Sequence, residues 1–247
     1  MAVVIFAGPT LARDHVRERS EFTFLPPAAQ GDIYRSTLGS PTAIGLIDGY
    51  FETVPAVWHK EILFALSKGV HVFGAASMGA LRAAELWRFG MVGVGTIFEA
   101  YRDKCIEDDD EVAIVHGPAE LDYLPVPEAM VNVRATVEAA IKALVLGEAA
   151  GNALVLLAKG MFYKERTWNA ILAAAASDGV SAQECEAFRA WLLRGAVDQK
   201  RADAHQMLES IRLLIRSGPP RFRASFAFEE TLDWNQAVRD FNGMSGA

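Results

Sequence analysis

The sequence predicts an α/β protein: a mostly parallel, Rossmann-like sheet with helices on its faces, followed by an all-helical C-terminal lobe. Two observations carry this expectation. Short, continuously apolar runs alternate with helical patterns through the first half, as strands buried on both faces require. Beyond about residue 130 the strand-like runs stop and Ala/Leu-rich helical periodicity takes over.

The elements follow in order. Val3 to Ala7 ("VVIFA") is a first strand closed by Gly8-Pro9-Thr10, and residues 11–20 read as helix. Phe22 to Leu25 reads as a second strand before Pro26-Pro27. Thr42 to Asp48 ("TAIGLID") is a third, followed by Gly49, with a helix over residues 54–68 stopped by Gly69. Val70 to Gly74 is a fourth, with a helix over 78–89 stopped by Gly90, and Val112 to Val115 is a fifth. Helices are then predicted over 131–147, 152–176 and 196–216, and Ser181 with Glu184 has capping-box spacing for another. The tail holds Phe222, Phe226, Phe228, Trp234 and Phe241, too aromatic for a free linker, and is expected to pack on the body or on a partner. The domain reading is an α/β core with the cleft over 1–130, a helical lobe packed on it over 131–218, and a tail over 219–247.

Composition narrows the function. The chain of 247 residues carries a net charge of −7, which argues against a general nucleic-acid binder, since phosphate neutralisation needs a basic surface. No run reaches the roughly 18 apolar residues that span a bilayer, and "MAVVIFAGPT" lacks the basic start of a signal peptide. Two cysteines, Cys105 and Cys185, fit no disulfide framework or metal spacing and read as reduced thiols of a cytoplasmic protein, with a sulfur-carrying role as the alternative. "GAASMG" has P-loop glycine spacing, but Ala80-Leu81 stands where Lys-Ser/Thr is required, and no GxGxxG opens a helix, so no cofactor is predicted. The acidic run Glu107 to Glu111 reads as a solvated loop rather than a metal site.

Parallel sheets bind ligands at the carboxyl ends of their strands. Here those ends are Gly8-Pro9-Thr10, Asp48-Gly49, Ala75-Ala76-Ser77 and His116-Gly117-Pro118. Ser77 is the residue of interest. Serine is among the best helix N-caps, and a helix follows. Yet Ala75-Ala76-Ser77-Met78-Gly79 is also a loose small-x-Ser-x-Gly elbow, which would lift the hydroxyl above the sheet and aim the Met78 amide at a developing oxyanion. A nucleophile needs a base. His116 ends a strand on the expected edge and His71 falls within one, while His15, His59 and His205 lie on helical patterns. Lys60 is the better candidate, flanked by Val57 and Phe64 on one apolar stripe; the plain alternative is a surface lysine beside Glu61. Asp48 faces the same edge or braces its loop, and Arg82 with Glu85 has surface ion-pair spacing.

Several blocks together carry a resemblance. "FAGPT", "IGLIDGYFE", "VWHKEILFAL", "VFGAASMGALRAAEL", "GMVGVGTIFEAY", "DDDEVAIVHGP" and "MVNVRATVEAA" resemble the TfuA-like proteins in order over about residues 3–140, with "VDQKRADA" beyond. The resemblance implies a partner of YcaO enzymes in peptide thioamidation. It implies hydrolysis of a thiocarboxylated ThiS-like sulfur-carrier protein, releasing sulfide to the YcaO enzyme, with a substrate peptide as a further partner. It also implies a Ser-Lys pair, which falls on Ser77 and Lys60. On this reading Met78, Gly79 and the segment Gly8, Pro9 and Thr10 hold the oxyanion or line the cleft, with Asp48, Gly49 and His116. The small residues Gly49, Gly74, Ala75, Ala76 and Gly79 leave room for a carrier tail. The competing expectations are a non-catalytic adaptor that docks carrier or peptide on the YcaO enzyme, and a generic small-ester hydrolase.

Overall fold

The computed structural model describes residues 2–11, 21–51, 54–114 and 127–243. Its contacts divide the chain into two compact units. One joins Met1–Cys105 to Arg201–Ala247, and the other is Ile106–Lys200. These limits differ from the boundaries at 130 and 218.

In the first unit, β1 (Val3–Phe6), β2 (Thr23–Leu25), β3 (Ala43–Leu46), β4 (His71–Ala75) and β5 (Val92–Val94) form one sheet in the order β2-β1-β3-β4-β5. Every pairing is parallel. The predicted α/β class is what the chain adopts. Between the strands lie α1 (Asp32–Leu38), α2 (His59–Ser67) and α3 (Met78–Leu86), with α4 (Thr96–Arg102) after β5. The helix predicted from residue 54 starts at His59, because Trp58 stays extended and its N–H donates to Glu61 Oε1 at 3.2 Å, half of a capping box. The helix predicted over 11–20 lies, from residue 12 on, outside the described residues.

The fifth strand corrects the sequence reading, which placed it at Val112–Val115. Residues Asp109–Glu111 instead form a 3-10 turn, and Val112 follows with φ −110° and ψ −10°, away from the extended region. Charge pairing fixes that segment: Lys159 bridges Asp108, Asp110 and Glu111, Arg134 binds both Glu111 oxygens at 2.8 and 2.9 Å, and the fully buried Arg166 reaches Asp110 at 2.8 Å. Asp108, Asp110 and Glu111 are thus held in an ion-pair network, while Glu107, Asp108 and Asp109 remain exposed, as a solvated loop would have them. The true fifth strand, "VGV", is short and broken by Gly93, where a Cβ would stand 2.1 Å from the Phe98 ring.

One face of the sheet is covered by α9 (Gln199–Arg216), whose Met207, Leu208 and Ile211 pack with Ile5, Ile47 and Phe73. Gly45 on β3 leaves the space they use, since a Cβ there would meet Met207 and Ile211 within 2.9 and 3.1 Å. Asp203 of α9 is buried and accepts the Ile97 N–H at 2.8 Å, capping α4 from outside. The aromatic tail packs on the body, as one of the two expectations had it. Phe228 and α10 (Leu232–Gly243), a helix the sequence reading did not anticipate, bring Trp234 and Phe241 against Tyr34 of α1 and Phe64 of α2.

The second unit holds α5 (Met130–Lys142), α6 (Glu148–Gly160), α7 (Trp168–Ser177) and α8 (Ala182–Gly195) around Val133, Leu154, Ile171 and Phe188. The single helix read over 152–176 is two, parted by a turn in which buried Arg166 binds the carbonyls of Ala158 and Met161. The cap on α8 is as read, with the Glu184 N–H donating to Ser181 Oγ at 3.2 Å. No helix among the described residues is long and apolar enough to cross a membrane.

Candidate functional site

The order of the strands places the site. The chain steps from β1 to β2 on one side and then to β3 on the other, so the order in which strands are added reverses between β1 and β3. Ligands of such sheets sit beyond the strand ends at that reversal. Asp48 lies there, buried, and accepts the Gly8 N–H at 2.8 Å, the Thr10 N–H at 3.1 Å and the Thr10 hydroxyl at 2.6 Å. Its carbonyl takes the Ala28 N–H at 2.9 Å, and Ala28 bridges to Gly49. Asp48 thus ties three strand ends together, and the Gly8 and Thr10 amides are committed to it.

Ser77 stands at the end of the adjacent β4. Ala76 before it is left-handed at φ +68°, and the Ser77 N–H donates to the Ala75 carbonyl at 2.8 Å, closing a three-residue turn. An alanine in that conformation costs roughly 1–2 kcal/mol. Strain of this kind gathers at functional turns. Ser77 occupies the N-cap position of α3, but its side chain makes no capping hydrogen bond. The residue is 3 % exposed, and among the described residues its hydroxyl has no hydrogen-bond partner. A buried hydroxyl left unpaired is unusual and costly. Among the described residues no acceptor takes the Met78 N–H either, whereas the Gly79 N–H donates to the Ile47 carbonyl at 3.2 Å.

The small residues around Ser77 serve packing. A Cβ on Gly79 would lie 1.8 Å from the Leu46 carbonyl oxygen, and one on Gly74 would lie 2.1 Å from that of Gly79. A Cβ on Gly49 would meet Met78 at 2.8 Å. The room assigned to a carrier tail at these glycines is filled by the protein itself.

Lys60, in the first turn of α2, rests over the Phe228 ring at 4.9 Å. Among the described residues it makes no ion pair, and no hydrogen bond joins it to Ser77. Its neighbour Glu61 turns inward instead, fully buried, taking the Tyr34 N–H at 3.2 Å besides that of Trp58. Burial raises the Glu61 pKa, helped by Asp32, against the opposing amides of Gly31, Tyr34 and Trp58. Stability from this group is complete below the ordinary carboxylate pKa and is lost as pH rises through the raised value. As pH rises above the ordinary carboxylate range, Glu61→Gln should therefore gain stability relative to wild type in urea titrations. A pH-independent difference would contradict this.

The starts of α2 and α3 are linked by polar contacts. Arg82 donates to the Val57 carbonyl at 2.9 Å and to Glu85 at 2.8 Å, as the i, i+3 spacing predicts, and Glu85 also meets His59 at 2.7 Å. Sequence reasoning missed three features here. Phe228 on Lys60 was visible only as an aromatic tail, Arg82 on Val57 only as a surface pair, and the left-handed Ala76 had no signal at all. His71 lies in β4 as expected, within 2.9 Å of the Pro220 carbonyl. His116, Gly117 and Pro118 lie outside the described residues, whereas Pro9 is buried in a 3-10 turn after β1. Cys105 is exposed and Cys185 buried. No cluster of metal-ligating side chains occurs among the described residues.

Residues 48–167 match the family model described as TfuA-like protein. That stretch contains Asp48, Lys60 and Ser77. None of the curated proteins matches the chain.

Proposed function

Because this chain belongs to the TfuA-like family over residues 48–167, a family associated with YcaO partnership, we propose that it hydrolyses a thiocarboxylated ThiS-like carrier and hands sulfide to its YcaO partner. The observation that carries this reading is Ser77, a buried hydroxyl without a hydrogen bond among the described residues, raised on a strained turn at the start of α3.

Ser77 Oγ attacks the thiocarboxylate carbon while Lys60 takes its proton. The carbonyl electrons move to oxygen, which the Met78 N–H, unclaimed among the described residues, and the positive end of α3 stabilise. Collapse breaks the carbon–sulfur bond, and sulfide leaves with the proton returned by Lys60. Water then cleaves the acyl-serine to a carrier carboxylate and free Ser77. Gly8 and Thr10 act through Asp48, shaping the neighbouring strand ends rather than donating to the oxyanion. Lys60 must leave the Phe228 ring to act, so partner or carrier binding is coupled to the tail.

The test is sulfide release from a purified thiocarboxylated carrier. Lys60→Ala should lower the rate by about 10²–10⁴-fold, the usual worth of a general base, and release unchanged in this variant would remove Lys60 from the chemistry. The adaptor reading draws support from Ser77 being only 3 % exposed and from Lys60 resting on Phe228. It predicts full thioamidation by the YcaO partner with either residue replaced.

A further inference from the structure

Helix α8 presents a face to solvent that reads alike from both ends. An open groove of about 540 Å³ runs along it, lined by Leu144, Val145, Glu184, Ala187, Trp191 and Arg194. One feature there is costly for a lone chain: Leu144 is 92 % exposed. Leu144 is moreover left-handed at φ +58°, with its N–H on Ile141 and the Val145 N–H on Ala140. This is the helix-ending motif whose left-handed position glycine normally fills. Trp191 is held ready, stacked on Phe188 and lying across Gly195, where a Cβ would stand 2.1 Å from the indole.

The charges are arranged for self-recognition. The Ser181 hydroxyl and the Gly147 amide hold the Glu184 carboxyl below its usual pKa, so it is ionised. Arg194 lies ten residues further along the same helix, about 15 Å away. Among the described residues it has no ion pair or hydrogen bond. We propose that this face joins two copies of the chain, α8 packing antiparallel on the partner's α8 about a two-fold axis. The axis passes between Ala187 and Ala190, small residues that let the helices approach to about 8 Å. Arg194 then lies opposite the partner's Glu184, and the reverse pair forms with it, as a two-fold interface requires. The same register brings the turn that carries Leu144 up to the partner's helix, since the Gly147 N–H next to that turn donates to Glu184 Oε1 at 3.2 Å. A foreign helix would need these charges matched by its own sequence; a second copy supplies them by symmetry.

One 14-residue helix per chain makes a small interface, so association is concentration-dependent. Sedimentation equilibrium of the full chain over about 1–100 µM tests it. Wild type should dimerise, and Arg194→Glu should weaken the dimer at least tenfold. Leu144→Gly should weaken it too, while keeping or raising the urea midpoint, because glycine suits the left-handed turn. Its midpoint falling would assign Leu144 to the fold instead. A wild-type monomer throughout, or dimers equally strong in Arg194→Glu, would overturn the proposal.

Discussion

Replacing Ser77 by alanine is expected to lower sulfide release by about 10³-fold or more and to leave the protein at least as stable as wild type. The two outcomes belong together. The hydroxyl is buried and, among the described residues, unpaired, and a buried polar group in that state costs on the order of 1–3 kcal/mol. Alanine removes the group without opening a cavity of any size. A serine that merely capped α3 would behave in the opposite way, losing about 1 kcal/mol on the change to alanine with release intact. Measuring the rate and the urea midpoint on one preparation separates the readings. A variant that releases sulfide normally ends the hydrolase proposal, whatever its stability.

The largest structural effect is expected at Gly79. Alanine there would place a Cβ 1.8 Å from the Leu46 carbonyl oxygen and 2.6 Å from its carbon, both main-chain atoms that no rotamer change can move. Helix α3 would have to lift off the end of β3, breaking the hydrogen bond from the Gly79 N–H to Ile47. The expected cost is at least about 3 kcal/mol, the range of forced overpacking in a core. Denaturant unfolding of Gly79→Ala measures it. A loss below about 1 kcal/mol would mean that α3 can shift without penalty, and that the position of Ser77 is less firmly set than the close contact implies.

The parallel sheet was legible because four of its strands are mainly apolar and are bounded by glycine, proline or small residues. The fifth was not, because Gly93 replaces the side chain that would have marked it. The "EVAIV" run looked more like a strand than "VGV" did, yet Lys159, Arg134 and Arg166 fold its acidic lead-in into a turn. Such pairing joins residues some 20 to 60 positions apart and has no local period. In the site, the junction that carries Ser77 was readable from small residues at a strand end. The reason for those residues was not, since Gly74 and Gly79 meet each other and Leu46 rather than open space. Asp48 showed a similar limit: its carboxylate looked free to face a ligand, but the amides that claim it are about 40 residues away.

The discontinuity of the sheet-bearing unit has a consequence for biosynthesis. Residues 106–200 form a continuous unit, whereas the unit that encloses it in sequence needs α9 to cover the sheet. On the ribosome the middle of the chain is therefore complete before the beginning is. At roughly 5–20 residues per second, the sheet residues Ile5 and Phe73 and the neighbouring Ile47 wait on the order of ten seconds or longer for Met207, Leu208 and Ile211 to emerge. Throughout that interval a nascent chain shows an uncovered apolar surface, the kind of surface that chaperones bind.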